Sequence, residues 1–216
     1  MFKQRDIQLP KITQKNLPEG RRYVSEDGKA YPSVTTVLSK TKDMTHLNEW
    51  KKSVGEEEAN RIMTHAAKQG TAVHDAIESY VLNQSYPCDL MPMQLQMVKG
   101  LREVADNHIS EVLTTEAALM SDHLQTAGMV DCVCVFDGKV SILDWKTSRK
   151  PKIRDWIHDY FMQESFYAVA FEEMTGIPVA QLVTVMACET GETLIFKEKR
   201  DDWIGEFIKR RSQFVQ

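Results

Sequence analysis

Residues 128 to 150 read GMVDCVCVFDGKVSILDWKTSRK, and the Asp137-Gly138 dipeptide at their centre limits the fold more than any other feature. A two-residue hairpin loop requires positive φ at both positions, which Asp-Gly tolerates. The flanking runs are rich in Val, Ile and Cys, so they pair as antiparallel strands with Phe136 facing Lys139. Counting outward sets Asp131 opposite Asp144, and the two-residue period puts Lys146 on their face. Neighbouring positions on that face, Val133, Val135, Val140 and Ile142, are apolar, and so are most on the other. The sheet is therefore expected to be covered on both sides.

Like charges directly opposite one another destabilise a strand pair, and burial raises that cost. One or two divalent cations, together with Lys146, would compensate it. Oxygen donors without a thiolate or multi-histidine cluster favour magnesium or manganese over zinc. Such an ion beside a lysine suits hydrolysis of a phosphodiester. On the hairpin alone, an exposed turn with scattered charges or a simple Lys146–aspartate ion pair fits equally well.

The remaining chain reads as one α/β domain, 1–216, with a helical N-terminal extension. Residues 1–30 are polar and broken by proline, an extended arm with a small hairpin or loop at DGKAYP; residues 31–110 form the helical part and 111–216 the α/β core. A helical pattern over 55–83 is expected to break near Gly70, with Val73, Ile77, Tyr80 and Val81 as an apolar stripe. A second helix over 92–109 buries Leu95, Val98, Leu101, Val104 and Ala105. Three strands follow, then a helix from near Asp155 that stops at Gly176 before Pro178, two strands, and a closing helix.

Its 42% apolar content supports a real core, whereas the net charge of −4 neither advertises nor excludes a nucleic-acid partner. Cys88, Cys132, Cys134 and Cys188 form no CxxC pair and read as reduced packing residues. No apolar run is long enough to span a bilayer, and no signal or transit peptide is evident. These features suggest a cytoplasmic setting in a bacterial or phage-infected cell and a monomer.

Asp131, Asp144 and Lys146, in D-x12-D-x-K, resemble the PD-(D/E)xK nuclease superfamily. GTAVH (70–74), GMVD (128–131) and QESFY (163–167) resemble the G-x-x-x-H, G-x-x-D and Q-x-x-x-Y motifs of its RecB-type branch, in the same order. With PSVTTVLS (32–39), the chain looks similar to mitochondrial genome maintenance exonucleases and their phage relatives. The resemblance implies a restriction-endonuclease-like αβββαβ core, with a mixed sheet flanked by helices. It also implies a magnesium- or manganese-dependent DNA exonuclease favouring single strands with a free end. His74, Asp131, Asp144 and the Trp145 carbonyl would hold metal, with Glu116 supporting them. Lys146 would be catalytic, with Gln163 and Tyr167 one helical turn apart beside it.

The basic run KTSRKPKIR suggests that Arg149, Lys150, Lys152 and Arg154 meet the DNA backbone. Ser33, Thr35 and Thr36 offer hydroxyls to phosphate, and Trp145, Trp156, Tyr160 and Phe161 are aromatics near enough to stack on bases. The alternatives are a duplex-end exonuclease or endonuclease of the same superfamily, or a binding module without catalysis.

Overall fold

In the computed structural model, which describes all residues except 6, 19, 86–88 and 216, the Asp-Gly turn forms as the sequence requires. Asp137 and Gly138 have φ of 49° and 77°, and Phe136 pairs with Lys139. The turn joins β6 (Thr126–Phe136) and β7 (Lys139–Ser148). Before them run β1 (Lys3–Gln4), a small antiparallel sheet of β2 (Ile12–Leu17), β3 (Gly20–Ser25) and β4 (Ala30–Pro32), and then β5 (Ile109–Ser121). After them come β8 (Gln181–Cys188) and β9 (Thr193–Lys199). The main sheet is mixed, in the order β1-β5-β6-β7-β8-β9, with β1 parallel to β5 and β7 parallel to β8.

Residues 1–30 are thus not a plain extended arm. Lys3 and Arg5 both pair with Glu111 and fasten β1 to the edge of the sheet. The three-stranded sheet sits close to the start of α1 (Val34–Lys40), where Ser33 also bridges to Ala127.

Strand alternation sends side chains into two cores. On one face Val133, Ile142, Leu182 and Met186 pack against α1, α5 (His158–Thr175) and α6 (Arg200–Gln213). On the other, Cys132, Cys134, Leu143, Trp145, Val183 and Val185 meet α3 (Glu56–Val81) and α4 (Pro92–His108). The sheet is covered on both sides. Cys132, Cys134 and Cys188 are buried free thiols, whereas Cys88 lies outside the described residues.

Helix α3 runs unbroken through Gly70, contrary to the expected break. A lone glycine costs a helix only about 1 kcal/mol, and the buried stripe of Val73, Ala76, Ile77 and Val81 outweighs that. Its first turn carries Glu56, Glu57 and Glu58, which suit the positive end of the helix dipole. Leu95 is 45% exposed rather than buried, because Met97 occupies the core position beside Val98. Helix α5 begins three residues later than expected, after a 3₁₀ turn at Arg154–Trp156, and ends on Gly176 in the left-handed conformation. Between α1 and α3 lies α2 (Thr45–Val54), which contains no buried residue.

Candidate active site

Sheet register builds the centre of the site. Cys132 pairs with Thr115 on β5 and with Leu143 on β7, so one residue further along, Glu116, Asp131 and Asp144 form a row across three strands. Asp144 in turn pairs with Thr184 on β8. Strand pairing between β6 and β7 stops before this row, where the Trp145 amide donates to Asp131 Oδ2 at 3.0 Å instead. Glu116 holds a left-handed backbone, φ 42°, rare for a side-chain-bearing residue and frequent at functional sites.

Helix α3 brings His74 into contact with the row. Its Nε2 lies 3.0 Å from Asp131 Oδ2 and its Nδ1 3.4 Å from Glu116 Oε1. His74, Glu116 and Asp131 can each present a ligand atom within 4.8 Å of the others. Lys146 Nζ forms an ion pair with Asp144 Oδ2 and sits 5.0 Å from the Tyr160 ring centre. Asp144 is 1% exposed, and its Oδ1 has no hydrogen-bond partner among the described residues. A buried carboxylate oxygen left open beside other carboxylates is what a hard cation would satisfy.

Burial and crowded charge perturb every group here. Burial alone would lower the His74 pKa, but the Asp131 hydrogen bond and the charges of Asp131, Glu116 and Asp144 raise it to about 9. Burial raises Glu116 to about 7 despite the attraction of His74, and Asp131 adds to the rise. Asp144 also rises to about 7, through burial and the charge of Asp131, against the pull of Lys146. Asp131 falls below its ordinary value: burial opposes ionisation, but His74, Lys146 and the Trp145 amide prevail. Lys146 is disfavoured by burial yet held above the usual lysine range by Asp144 and Asp131. The ion pair with Asp144 thus favours the charged ammonium.

On α5, Gln163 Nε2 donates to the Tyr167 hydroxyl at 3.2 Å, which bears out their placement on one face. Tyr167 is buried, and its ring is the reason Gly128 carries no side chain. A Cβ at Gly128 would lie 2.9 Å from Tyr167 Cε1 and 3.0 Å from Val34 Cγ1. Gly70 is less constrained, since a Cβ there would meet only Thr147 Oγ1, at 3.4 Å.

Glu164, beside Gln163, did not stand out as a site residue in the sequence. It is fully buried, bonds Thr184 Oγ1 with one oxygen, and leaves Oε2 unpartnered among the described residues. Burial drives its pKa well up, and the charge of Asp144 adds to that. The available signal was its setting: it lies in the middle turns of α5, between the apolar runs Tyr160–Met162 and Phe166–Phe171, where the helix is buried on nearly every side.

Other expected contacts divide. Ser33 is 1% exposed, and its hydroxyl caps α1 by accepting from the Thr36 amide, so it is not free for phosphate. Thr36 and Thr35 both hydrogen-bond Ser33 through their hydroxyls; Thr36 turns toward Gly20, whereas Thr35 is exposed and lines a cavity at the site. Arg154 is engaged within the protein: its Nε and Nη2 both donate to Glu198, which also accepts from Trp203 Nε1. Arg149 and Lys150 are exposed, and Lys152 lies 3.2 Å from the Tyr160 hydroxyl. Trp145 and Phe161 belong to the two cores, leaving Trp156, 68% exposed, and half-buried Tyr160 within reach of solvent.

Two cavities adjoin the centre, and a third lies beyond one of them. One of about 300 Å³ is lined by Arg21, Tyr23, Thr35, Glu116, Asp131 and Gln163, among others. A second, about 280 Å³, includes Thr71, His74, Lys146 and Thr147. A third, about 410 Å³, shares Thr147 with the second and continues past Gln69, His65 and Arg61 to Arg149.

No family model matches the chain. It is 30% identical over 130 residues to mitochondrial genome maintenance exonuclease 1 of Homo sapiens, covering 56% of this chain and 38% of that protein. The same protein of Xenopus tropicalis is 31% identical over 142 residues, covering 57% and 38%. The chain thus spans well under half the length of these relatives. A solved structure of a candidate exonuclease from Eubacterium rectale aligns with TM-score 0.44 and 11% identity over 67% of this chain and 64% of that one. In sequence, then, a little over half of this chain is similar to proteins named as exonucleases.

Proposed function

We propose that the protein is a magnesium- or manganese-dependent DNA exonuclease that prefers single strands with a free end, built on a restriction-endonuclease-like core. The observation that carries this reading is the row Glu116, Asp131 and Asp144, set across three strands and joined by His74 and Lys146. Similarity to exonucleases over part of the chain supports it. His74, Asp131, Asp144 and the Trp145 carbonyl would hold the ion; the contact of Glu116 with His74 supports a place for it in the same shell. A bound ion of this kind polarises a phosphoryl oxygen and lowers the pKa of a water.

Lys146, kept protonated by Asp144 and Asp131, places a cation where charge builds on the scissile phosphate. Asp144 in turn orients the ammonium. Gln163, fixed through Tyr167, lines the wall that faces the substrate. Arg149, Lys150, Lys152 and Thr35 are the surface groups best placed to meet phosphates, and Trp156 and Tyr160 to meet bases.

The test is incubation of end-labelled linear single strands, duplexes and circular single strands with magnesium or manganese, beside Lys146→Ala and Asp144→Asn. Linear single strands are expected to be degraded, and each variant to lose about a hundredfold or more in kcat, as for other groups that stabilise developing charge. Equal activity in the variants would overturn the reading. Cleavage of circles would make the protein an endonuclease, preference for duplex ends a recombination-type exonuclease, and binding without cleavage a silent module.

A further inference from the structure

One turn before Gln163, helix α5 carries Tyr160, so Tyr160, Gln163, Glu164 and Tyr167 recur at the spacing that lines one face of a helix. Gln163 and Tyr167 bond one another, and Glu164 bonds Thr184, the β8 partner of Asp144. This face therefore lies against the strands that carry the carboxylate row. Tyr160 extends it by one turn, as far as Lys146.

Nζ of Lys146, ion-paired with Asp144 Oδ2, sits 5.0 Å from the centre of the Tyr160 ring. An ammonium within about 6 Å of an aromatic face is attracted by the ring quadrupole, and more strongly where water is partly excluded. Here Asp144 is buried and both Lys146 and Tyr160 are half-buried. The ring is itself held in place. The Tyr160 amide donates to the Ile157 carbonyl at 2.9 Å, the side chain packs against the core shared by α5 and the sheet, and the hydroxyl accepts from Lys152 Nζ at 3.2 Å. A carboxylate alone leaves the flexible stem and rotating ammonium of a lysine several ways to satisfy it. A fixed ring beside the carboxylate removes most of them.

We infer that Tyr160 is a positioning residue for Lys146, its ring fixing the ammonium beside the carboxylate row where the scissile phosphate is to lie. The inference rests on the nuclease reading for its catalytic consequence, and on the geometry alone for the contact. The ring then serves Lys146 before any base. Its hydroxyl has a separate part, tying Lys152 of the basic loop to the same side chain.

Tyr160→Leu, Tyr160→Phe, Lys146→Ala and the double variant Tyr160→Leu/Lys146→Ala separate the contact from its consequence. The first readout is NMR of protein labelled with 13C-lysine, in EDTA. The Lys146 Hε protons, assigned by their loss in Lys146→Ala, should lie upfield under the ring in wild type and in Tyr160→Phe, and return to the ordinary lysine position in Tyr160→Leu. The second is cleavage of a linear single strand with manganese. Tyr160→Leu should lower kcat about tenfold, without a matching rise in the Kd measured in EDTA. Tyr160→Phe should recover most of that loss, and in the Lys146→Ala background Tyr160→Leu should cost nothing further. Lys146 protons at the ordinary position in wild type, or a tenfold loss that persists without Lys146, would overturn the positioning role. A raised Kd with kcat intact would also overturn it and make the ring a platform for a base. The upfield shift in a wild type that cleaves no DNA would leave the contact standing and overturn the nuclease reading instead.

Discussion

At the scale of single residues, the site is defined by carboxyl groups that the fold keeps close at a cost. Glu116 accepts a left-handed backbone, worth roughly 1–2 kcal/mol for an L-residue, in a position beside His74. Glu164 is more exposed to physical test, because it is buried with one oxygen unpaired and its pKa is raised by burial first and Asp144 second. Unfolded, it ionises near the ordinary glutamate value of about 4.3. Its neutral form therefore favours the folded state fully below that pH, and this contribution is lost as pH rises toward the folded pKa. Glu164→Gln cannot ionise and escapes the loss. In metal-free protein the variant's stability relative to wild type should grow by about 1.4 kcal/mol per pH unit across that interval. Urea titrations from pH 4 to 8 in EDTA read it directly, and a gap that stays constant with pH would refute the assignment of a neutral, buried acid.

At the scale of elements, two glycines separate what spacing suggests from what packing demands. Gly70 stands one turn before His74 and invites the idea that α3 needs a bare backbone there, yet a Cβ would find only ordinary contact with Thr147. Gly128 is enclosed by Tyr167 and Val34 at 3.1 Å or less. Gly70→Ala is expected to leave stability unchanged or raise it by up to about 1 kcal/mol through helix propensity. Gly128→Ala should cost about 1–3 kcal/mol, as overpacked cores do; urea denaturation of both variants giving the reverse order would show that the α1–α5 contact is not tight. The same contrast explains which parts of the fold could be read in advance. The β6–β7 register was legible because Asp137-Gly138 and a two-residue alternation leave one pairing. The α4 and α5 segments were legible from period and stop signals. The Glu116 carboxylate was legible only by analogy, since a positive φ inside a strand leaves no mark in composition. Strands β2 and β3 were hidden because ITQKNL and GRRYVS bury little and resemble a polar arm, and with them went Arg21.

At the scale of the whole molecule, the protein divides into a well-packed body and an outlying helical arm. Two cores clamp the six-stranded sheet, and long-range pins such as Arg210, which bonds Thr41 Oγ1 and the Leu38 carbonyl, tie the last helix to the first. Residues 42–68 are different. Helix α2 buries nothing, and before Gln69 only Ala59 of α3 is buried. Regions with so few buried contacts open at little cost compared with a global core. The arm also borders the third cavity through Arg61, Ile62, His65 and Ala66, and that cavity shares Thr147 with the one beside Lys146. Limited trypsin digestion should therefore cut first at Lys51, Lys52, Arg61 or Lys68, leaving the sheet and its helices intact. If the strand lies along this cavity, a linear single-stranded oligonucleotide in EDTA should slow those cuts several-fold, while a free mononucleotide, too short to span from the carboxylate row to the arm, should not. Protection by both ligands alike would mean that the arm senses occupancy of the carboxylate centre and does not itself lie along the strand.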